Sequence, residues 1–535
     1  MIALACALPL LAGAVLLGSG TEPSTRTAAR AGIVASLVTL ALVTVAWATD
    51  SVVDVAWLPA LGLRLHLGLD GISGPLAVLA ALVTGAACAT TLTERPRSGS
   101  AATVVGCILF TLGGAVATFA AGDALLFVVA FELVLVPVWV LITRFGDERD
   151  PRARREAGAR FVLYTGTGST LMLLGVLLLV SRAGTADLAA LGAARGEGLD
   201  AGTQLVIAVL LTLGLAVKIP VWPLHSWLPL AHTTAPTAGS MLLAAVLLKM
   251  GTYGLIRLPL ATVPDGFARI APVLAVCGVI GIVWGGLVCL VEPGLKRLIA
   301  WSSIAHMGFV ALALATGTTT GVTAALYGNL AHGLISALLF LVVGGLKHRW
   351  GGDDLRIPRP ALREHAPRRG LLLLTGLAAG LGLPGLAGFW GEFPAIIAAL
   401  DPAQGRSTTL FAACAAVAAV GAVLAAGYAL RVARLVWLGE GYSDAPTAPE
   451  PDAGPTTEAD AGPATESDAD ADGLARTRPL PVAESGSADV GRDGELDRPE
   501  TVPGAVLALA VLVLGVAPVL VLTVTEPALV AVVTP

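Results

Sequence analysis

Residues 218–240 read KIPVWPLHSWLPLAHTTAPTAGS, and residues 241–257 continue as MLLAAVLLKMGTYGLIR. Pro220, Pro223, Pro229 and Pro236 punctuate the first stretch. Each lacks a backbone donor and clashes with the preceding turn, so the segment cannot be regular helix throughout. Uncharged residues 203–217 lie ahead of it, and behind it the run 238–256 holds a single charge, Lys249. Apolar runs of this length match the roughly 20 residues that a helix needs to cross about 30 Å of hydrocarbon. The stretch reads as membrane crossings with a break between them.

The rest of the chain repeats the pattern. Of 535 residues, 56% are hydrophobic and only 13% are charged, against about 25% charged in a typical soluble domain. The expected fold is an all-α polytopic membrane protein with about 14 transmembrane helices. They lie near 1–18, 31–48, 71–92, 101–120, 123–143, 160–181, 203–221, 237–257, 270–291, 296–316, 320–346, 370–399, 407–437 and 503–524. A second break falls in LGLPGLAGFWGEFP, residues 381–394, around Pro384 and Pro394. Paired broken helices suggest two inverted five-helix repeats, about 101–257 and 270–437, with the working site at the breaks.

Residues 1–439 therefore carry helices 1–13, and 503–535 carry the fourteenth and a C-terminal tail. Between them, residues 440–502 form an acidic insert. From Glu440 to Glu500 there are 16 acidic and 4 basic residues, a local charge of −12, which leaves +7 for the remainder. Rich in Ala, Pro, Thr, Gly and Asp, the insert has too little apolar surface to offset ordering entropy and is expected to be disordered. Lys and Arg concentrate in the odd-numbered connections, above all at 144–160 and 347–369, while the even-numbered ones hold few. By the positive-inside rule the odd connections face the cytoplasm of a bacterial inner membrane, with both termini outside. No Lys or Arg precedes the first apolar run, which reads as a retained helix rather than a cleaved signal. The cysteines, Cys6, Cys88, Cys107, Cys277, Cys289 and Cys414, stand singly in apolar runs. Iron–sulfur, haem and zinc sites have no support in their spacing.

Charges inside apolar spans are costly and are therefore functional candidates. Glu132 is the sole charge between Ala124 and Ile142, with Pro137 kinking its helix. Lys218 sits at the first break, and Lys249 lies well inside its span, where snorkelling to the headgroups is least plausible. Glu392 is alone in the window 371–400, and His306 and His332 sit near the middles of consecutive spans. Lysine and histidine suit a proton relay because both lose and regain protons readily. The bland alternatives are a fixed inter-helix salt bridge for Glu132 and packed core histidines. His225 and His232, in the loop after the break, could couple such a relay to water. Trp222 and Trp227 default to the membrane interface.

These motifs resemble a known family. The stretch AVKIPVWPLHSWLPLAHTTAPTAGSMLLAAVLLKMGTYGLIR is similar to the signature of the antiporter-like, proton-translocating subunits of respiratory complex I, NADH-quinone oxidoreductase. FVVAFELVLVPVWVLI, LKRLIAWSSIAHMGFV and LAHGLISALLFLVVGGL fall at the family's expected places. The ending APTAGS and the glutamate of GFWGEF resemble the subunit M branch. The resemblance implies that Glu132 and Lys218 are an ion pair that tunes the channel. It implies that Lys249, His306 and His332 form the central axis, and that Glu392 exchanges protons with the far side. It also implies coupling to NADH oxidation and quinone reduction in partner subunits. NADH, FMN, iron–sulfur clusters and quinone would reside there, with no cofactor in this chain. Expected partners are the neighbouring membrane-arm subunits, the lipid bilayer and protons, with no nucleic acid. Leu230 departs from the family, which commonly has aspartate there. The competing readings are a subunit of a cation/proton antiporter or membrane-bound hydrogenase, and a non-transporting scaffold.

Overall fold

Helices α1 (Ile2–Gly18) and α2 (Thr25–Ala48) open the chain, and the serine at Ser24 caps α2 by accepting from Thr27 N. The computed structural model describes residues 1–18, 23–58, 63–94, 100–147, 149–440 and 498–533. The expected acidic insert thus falls largely outside the described residues. An antiparallel hairpin, β1 (Val53–Leu58) and β2 (Leu63–Leu67), joins α2 to α3 (Ser73–Thr90). After α4 (Ala101–Ala120), Asp123 accepts from the amides of Leu125 and Leu126 and starts α5 (Ala124–Glu132). That helix stops at Glu132, and α6 (Leu135–Phe145) resumes just before Pro137, so the span expected to kink is in fact two helices.

Asp150 and Pro151 then begin the long α7 (Pro151–Ala183), followed by the short surface helix α8 (Leu188–Ala194). Next, α9 (Ala201–Lys218) ends at the first proline-rich break, which contains α10 (Trp227–Thr234). The next crossing is α11 (Thr237–Leu242) and α12 (Leu248–Leu255), with π-turns at Leu243–Leu247 and Ile256–Leu260 on either side of α12. Single π-turns of this kind recur at functional sites. Helices α13 (Pro264–Val291) and α14 (Leu295–Thr316) follow, pressed together where Gly278 and Gly308 meet backbone to backbone. Small residues permit this approach, since lipid supplies no hydrophobic drive between helices.

Helix α15 (Thr319–Trp350) is the core of the bundle, with every residue of its most apolar window buried. Beyond the short α16 (Leu362–His365), the second break separates α17 (Pro367–Gly380) from α18 (Phe389–Leu400). Pro394 lies within α18 rather than ending it. Helix α19 (Thr408–Val432) leads to α20 (Arg498–Val516) and α21 (Val519–Val533) across the undescribed insert. One continuous helix was expected over 503–524; instead the segment breaks at Ala517 and Pro518.

Among the described residues, twelve helical stretches are long and apolar enough to cross a membrane. Helix α1 and the pair α17–α18 are shorter, and with them fourteen crossings are compatible with the fold. The connections sort by number. At one end Asp147 meets Lys347, Glu94 meets Thr237, and Arg369 meets Glu500. At the other, Ala124 N donates to Ala186 O, Arg269 reaches Ala201 O, and Arg195 reaches Val532 O. The first, odd-numbered set is the arginine-rich end.

Candidate functional site

Lys249 lies on α12 between the two π-turns and is fully buried. Its Nζ is 2.6 Å from His332 Nδ1, on the central helix α15. The His332 ring lies 5.6 Å from the ring of His306 on α14, tilted by 57°. His306 Nδ1 in turn stands 2.6 Å from Glu392 Oε1 on α18. Between these two bonded pairs is a void of about 20 Å³ touched by His306, His332 and Glu392, room for one water molecule. Glycine makes this meeting possible. A Cβ at Gly391 would come within 2.4 Å of Gly328 Cα, so a glycine at 391 lets α18 lie against α15 and bring Glu392 to His306.

At the other end of the line, α9 finishes on Lys218, which is 2% exposed. A Cβ at Gly251, two residues from Lys249, would be 3.1 Å from Lys218 Cβ, so the two lysine-bearing segments touch. Lys218 Nζ sits 4.5 Å above the ring of Phe131. Glu132, the next residue, ends α5, and its Oε1 is buried with no hydrogen-bond partner among the described residues. No ion pair within 4.0 Å joins Glu132 to Lys218 among the described residues. The structure brings the six expected residues into one line, Lys218, Lys249 and His332 buried and the other three partly buried, with Glu132 and Lys218 adjacent but unpaired.

Trp227, expected at the membrane interface, is fully buried within the protein, and its Nε1 donates to Val217 O at 2.9 Å. The indole therefore serves a carbonyl at the helix end that the break leaves exposed, as bilayer depth requires. His232 stacks on Phe340 with ring centroids 4.6 Å apart, and His225 lies against Trp301. Both ring nitrogens of His232 are buried without hydrogen-bond partners among the described residues. Beyond His232, toward the arginine-rich end, is a polar cleft of about 220 Å³ lined by Glu94, Asp147, Thr237, Lys296 and Lys347. Asp147 bonds Lys347 at 2.9 Å. Partial burial would raise its carboxyl, but the hydrogen bond and charge of Lys347 outweigh that and hold it below the ordinary carboxylate range.

Phe131, Phe340, Asp147 and the Asp70–Arg257 pair are the contacts that the sequence reading missed. Their partners lie far apart along the chain or, for Phe131, depend on side-chain direction. Hydrogen-bonded pairs of lysine, histidine and glutamate can hand on a proton by exchanging donor and acceptor roles.

A buried line of titratable groups crossing a many-helix membrane bundle, with broken helices at both of its ends, defines an ion-translocating membrane subunit as the structural class. Residues 121–421 match the family model for the NADH:quinone oxidoreductase/Mrp antiporter transmembrane region. Chain 4 1 of the NAD(P)H-quinone oxidoreductase of Picosynechococcus sp. is 37% identical over 397 residues, which cover 74% of this chain and 72% of that protein. A chain in the structure of respiratory complex I from Thermus thermophilus with bound NADH superposes with a TM-score of 0.79 at 26% identity, covering 99% and 98% of the two chains. A chain of the Mrp complex from Dietzia sp. shares the fold, with a TM-score of 0.78 at 23% identity, all of this chain and 52% of that one. The chain belongs to the NADH:quinone oxidoreductase/Mrp antiporter membrane-subunit family.

Proposed function

We propose that this chain is the subunit M-type, proton-translocating membrane subunit of an NADH:quinone oxidoreductase. It would work beside neighbouring antiporter-like subunits, with NADH oxidation and quinone reduction carried out in partner subunits. The observation that carries this reading is the line Lys249–His332–His306–Glu392, bonded at 2.6 Å at each end, with Lys249 and His332 buried in the core of the bundle. Likeness to chain 4 of NAD(P)H-quinone oxidoreductase supports the choice of enzyme. The positive-inside rule puts the arginine-rich end in the cytoplasm of a bacterial membrane and the acidic insert on the same side.

In this mechanism Lys249 is loaded from the cytoplasmic cleft. Its proton passes to His332 through their hydrogen bond, then across the single-water void to His306 and Glu392, and from there to the outer side. Glu132 and Lys218 set the field that decides when Lys249 lets go. A unit charge about 10 Å away, at an effective dielectric of ~20, contributes about 1.7 kcal/mol, or a little over one pKa unit. A swing of Lys218 between the ring of Phe131 and the carboxylate of Glu132 changes a fraction of such an interaction. The test is proton pumping by the whole complex reconstituted in vesicles with Glu132→Ala or Lys249→Ala, with quinone reduction measured in parallel. Lost pumping with intact assembly is expected, and full pumping with unimpaired quinone reduction would sink the relay.

A further inference from the structure

Lys249 faces two ways. One turn further along the same helix face, at the i+4 position, is Tyr253, and four residues beyond that is Arg257. Past Tyr253, at the end opposite the arginine-rich one, is a cavity of about 530 Å³ lined by His66, Asp70, Ser73, Tyr253 and Arg257. Only about 6 Å of helix axis separates the level of Lys249 from that of Tyr253. Thr252, beside it, is fully buried, and its hydroxyl has no hydrogen-bond partner among the described residues. A lysine that must release its proton sideways to His332 thus lies one helical turn from a second, shorter way out.

That way is closed by a cluster held from three directions. Arg257 is ion-paired with Asp70 Oδ2, and its guanidinium carbon lies 5.4 Å from the centre of the Tyr253 ring. Asp70 Oδ1 is fixed by the amides of Ile72 and Ser73, at 3.0 and 2.9 Å, at the start of α3. Tyr253 is fixed by its hydroxyl, which donates to Phe119 O at 3.0 Å, and by an edge contact with the Phe119 ring. Arginine cannot surrender its proton, so it can neither join a relay nor be crossed cheaply by a positive charge. Fixed arginines and dipoles exclude protons from other membrane pores by the same electrostatic barrier.

We propose that Arg257, clamped by Asp70 over Tyr253, is an electrostatic plug that stops Lys249 from discharging directly into the 530 Å³ cavity and forces its proton along the histidines to Glu392. This rests on the relay reading of Lys249, and the test separates the two. Whole complexes carrying Arg257→Gln are reconstituted in vesicles, and the decay of an imposed pH gradient is followed without NADH or quinone. Decay several-fold faster than in the parent is expected, with Arg257→Lys in between, because a lysine keeps the charge but can release its proton. Adding Lys249→Met to Arg257→Gln should restore a slow decay, because the leak needs the lysine. If Arg257→Gln prevents assembly, Asp70→Asn loosens the guanidinium while keeping its charge and should raise the leak by a smaller factor. Parental tightness in the assembled Arg257→Gln or Asp70→Asn complex overturns the plug and leaves the relay standing. A leak that persists with Lys249→Met overturns it too, since the proton would then come from elsewhere.

Discussion

At one end of the buried line Lys218 rests over Phe131, with Glu132 too far away to pair; at the other, His306 and Glu392 hold each other at 2.6 Å. Both ends sit at broken helices, yet one is electrically open and the other closed. A buried charge without a partner costs several kcal/mol, and an aromatic face returns about 2 kcal/mol at best. The lysine end is thus a shallow resting place with a deeper alternative next to it in Glu132, and the glutamate end already occupies its well. The end able to respond to a distant signal is the one with an unused partner.

Removing the shared centre should have the largest effect. Lys249→Ala leaves nothing to connect the two ends, and pumping per quinone reduced should fall by about 10²-fold, the lower range for a positioned proton-transfer group. Opening the closed end comes next. Glu392→Gln keeps the shape and removes the titration, and a roughly ten-fold loss of pumping is expected, equivalent to about 1.4 kcal/mol. Glu392→Asp should recover part of it, and equal rates for Gln and Glu would show that the closed end does not exchange protons.

Closing the open end is a subtler test. Phe131→Leu deletes the aromatic support, worth up to about 2 kcal/mol at this buried site, so Lys218 should settle on Glu132 within 4.0 Å in a structure of the variant. Pumping should slow about two- to five-fold, because that pair must then be broken in each cycle. The smallest effect is expected at the rim of the cleft. The folded-state pKa of the Asp147 carboxyl is lowered by Lys347, so its stabilisation is present above the unfolded value of about 3.9 and is lost as pH falls through that value and below. Asp147→Asn should cost roughly 0.5–1 kcal/mol near neutral pH. The difference in thermal midpoint from the parent complex should vanish in acid, and a difference that persisted there would assign the loss to packing.

Much of this was legible because lipid makes the code simple. An isolated Glu132 or Lys249 in an apolar run has few explanations, and four prolines crowded into 220–236 remove too many donors for one regular helix. The hairpin at Val53–Leu58 and Leu63–Leu67 was not legible: it lies between α2 and α3, in a stretch read only as a connection between crossings. The role of Arg257 was not legible either, because its partner Asp70 is 187 residues away and only the fold brings them together. Glu132 and Lys218 resemble by motif an ion pair that opens and closes; here Lys218 lies over Phe131, a choice set by side-chain direction that no spacing reveals.

The break at Ala517 and Pro518 has a consequence for biosynthesis. Trp390 Nε1 donates to Gly515 O at 2.9 Å, and a Cβ at Gly515 would strike the backbone of Gly385 and Leu386. The end of α20 therefore packs on the break that precedes α18, and Trp390 of α18 serves a carbonyl there that lipid cannot serve. Since α20 emerges from the ribosome only after the whole acidic insert, the Glu392 end of the line is braced last. A nascent chain that has not yet made α20 has every proposed relay residue in place by sequence, but lacks the helix that seats α18.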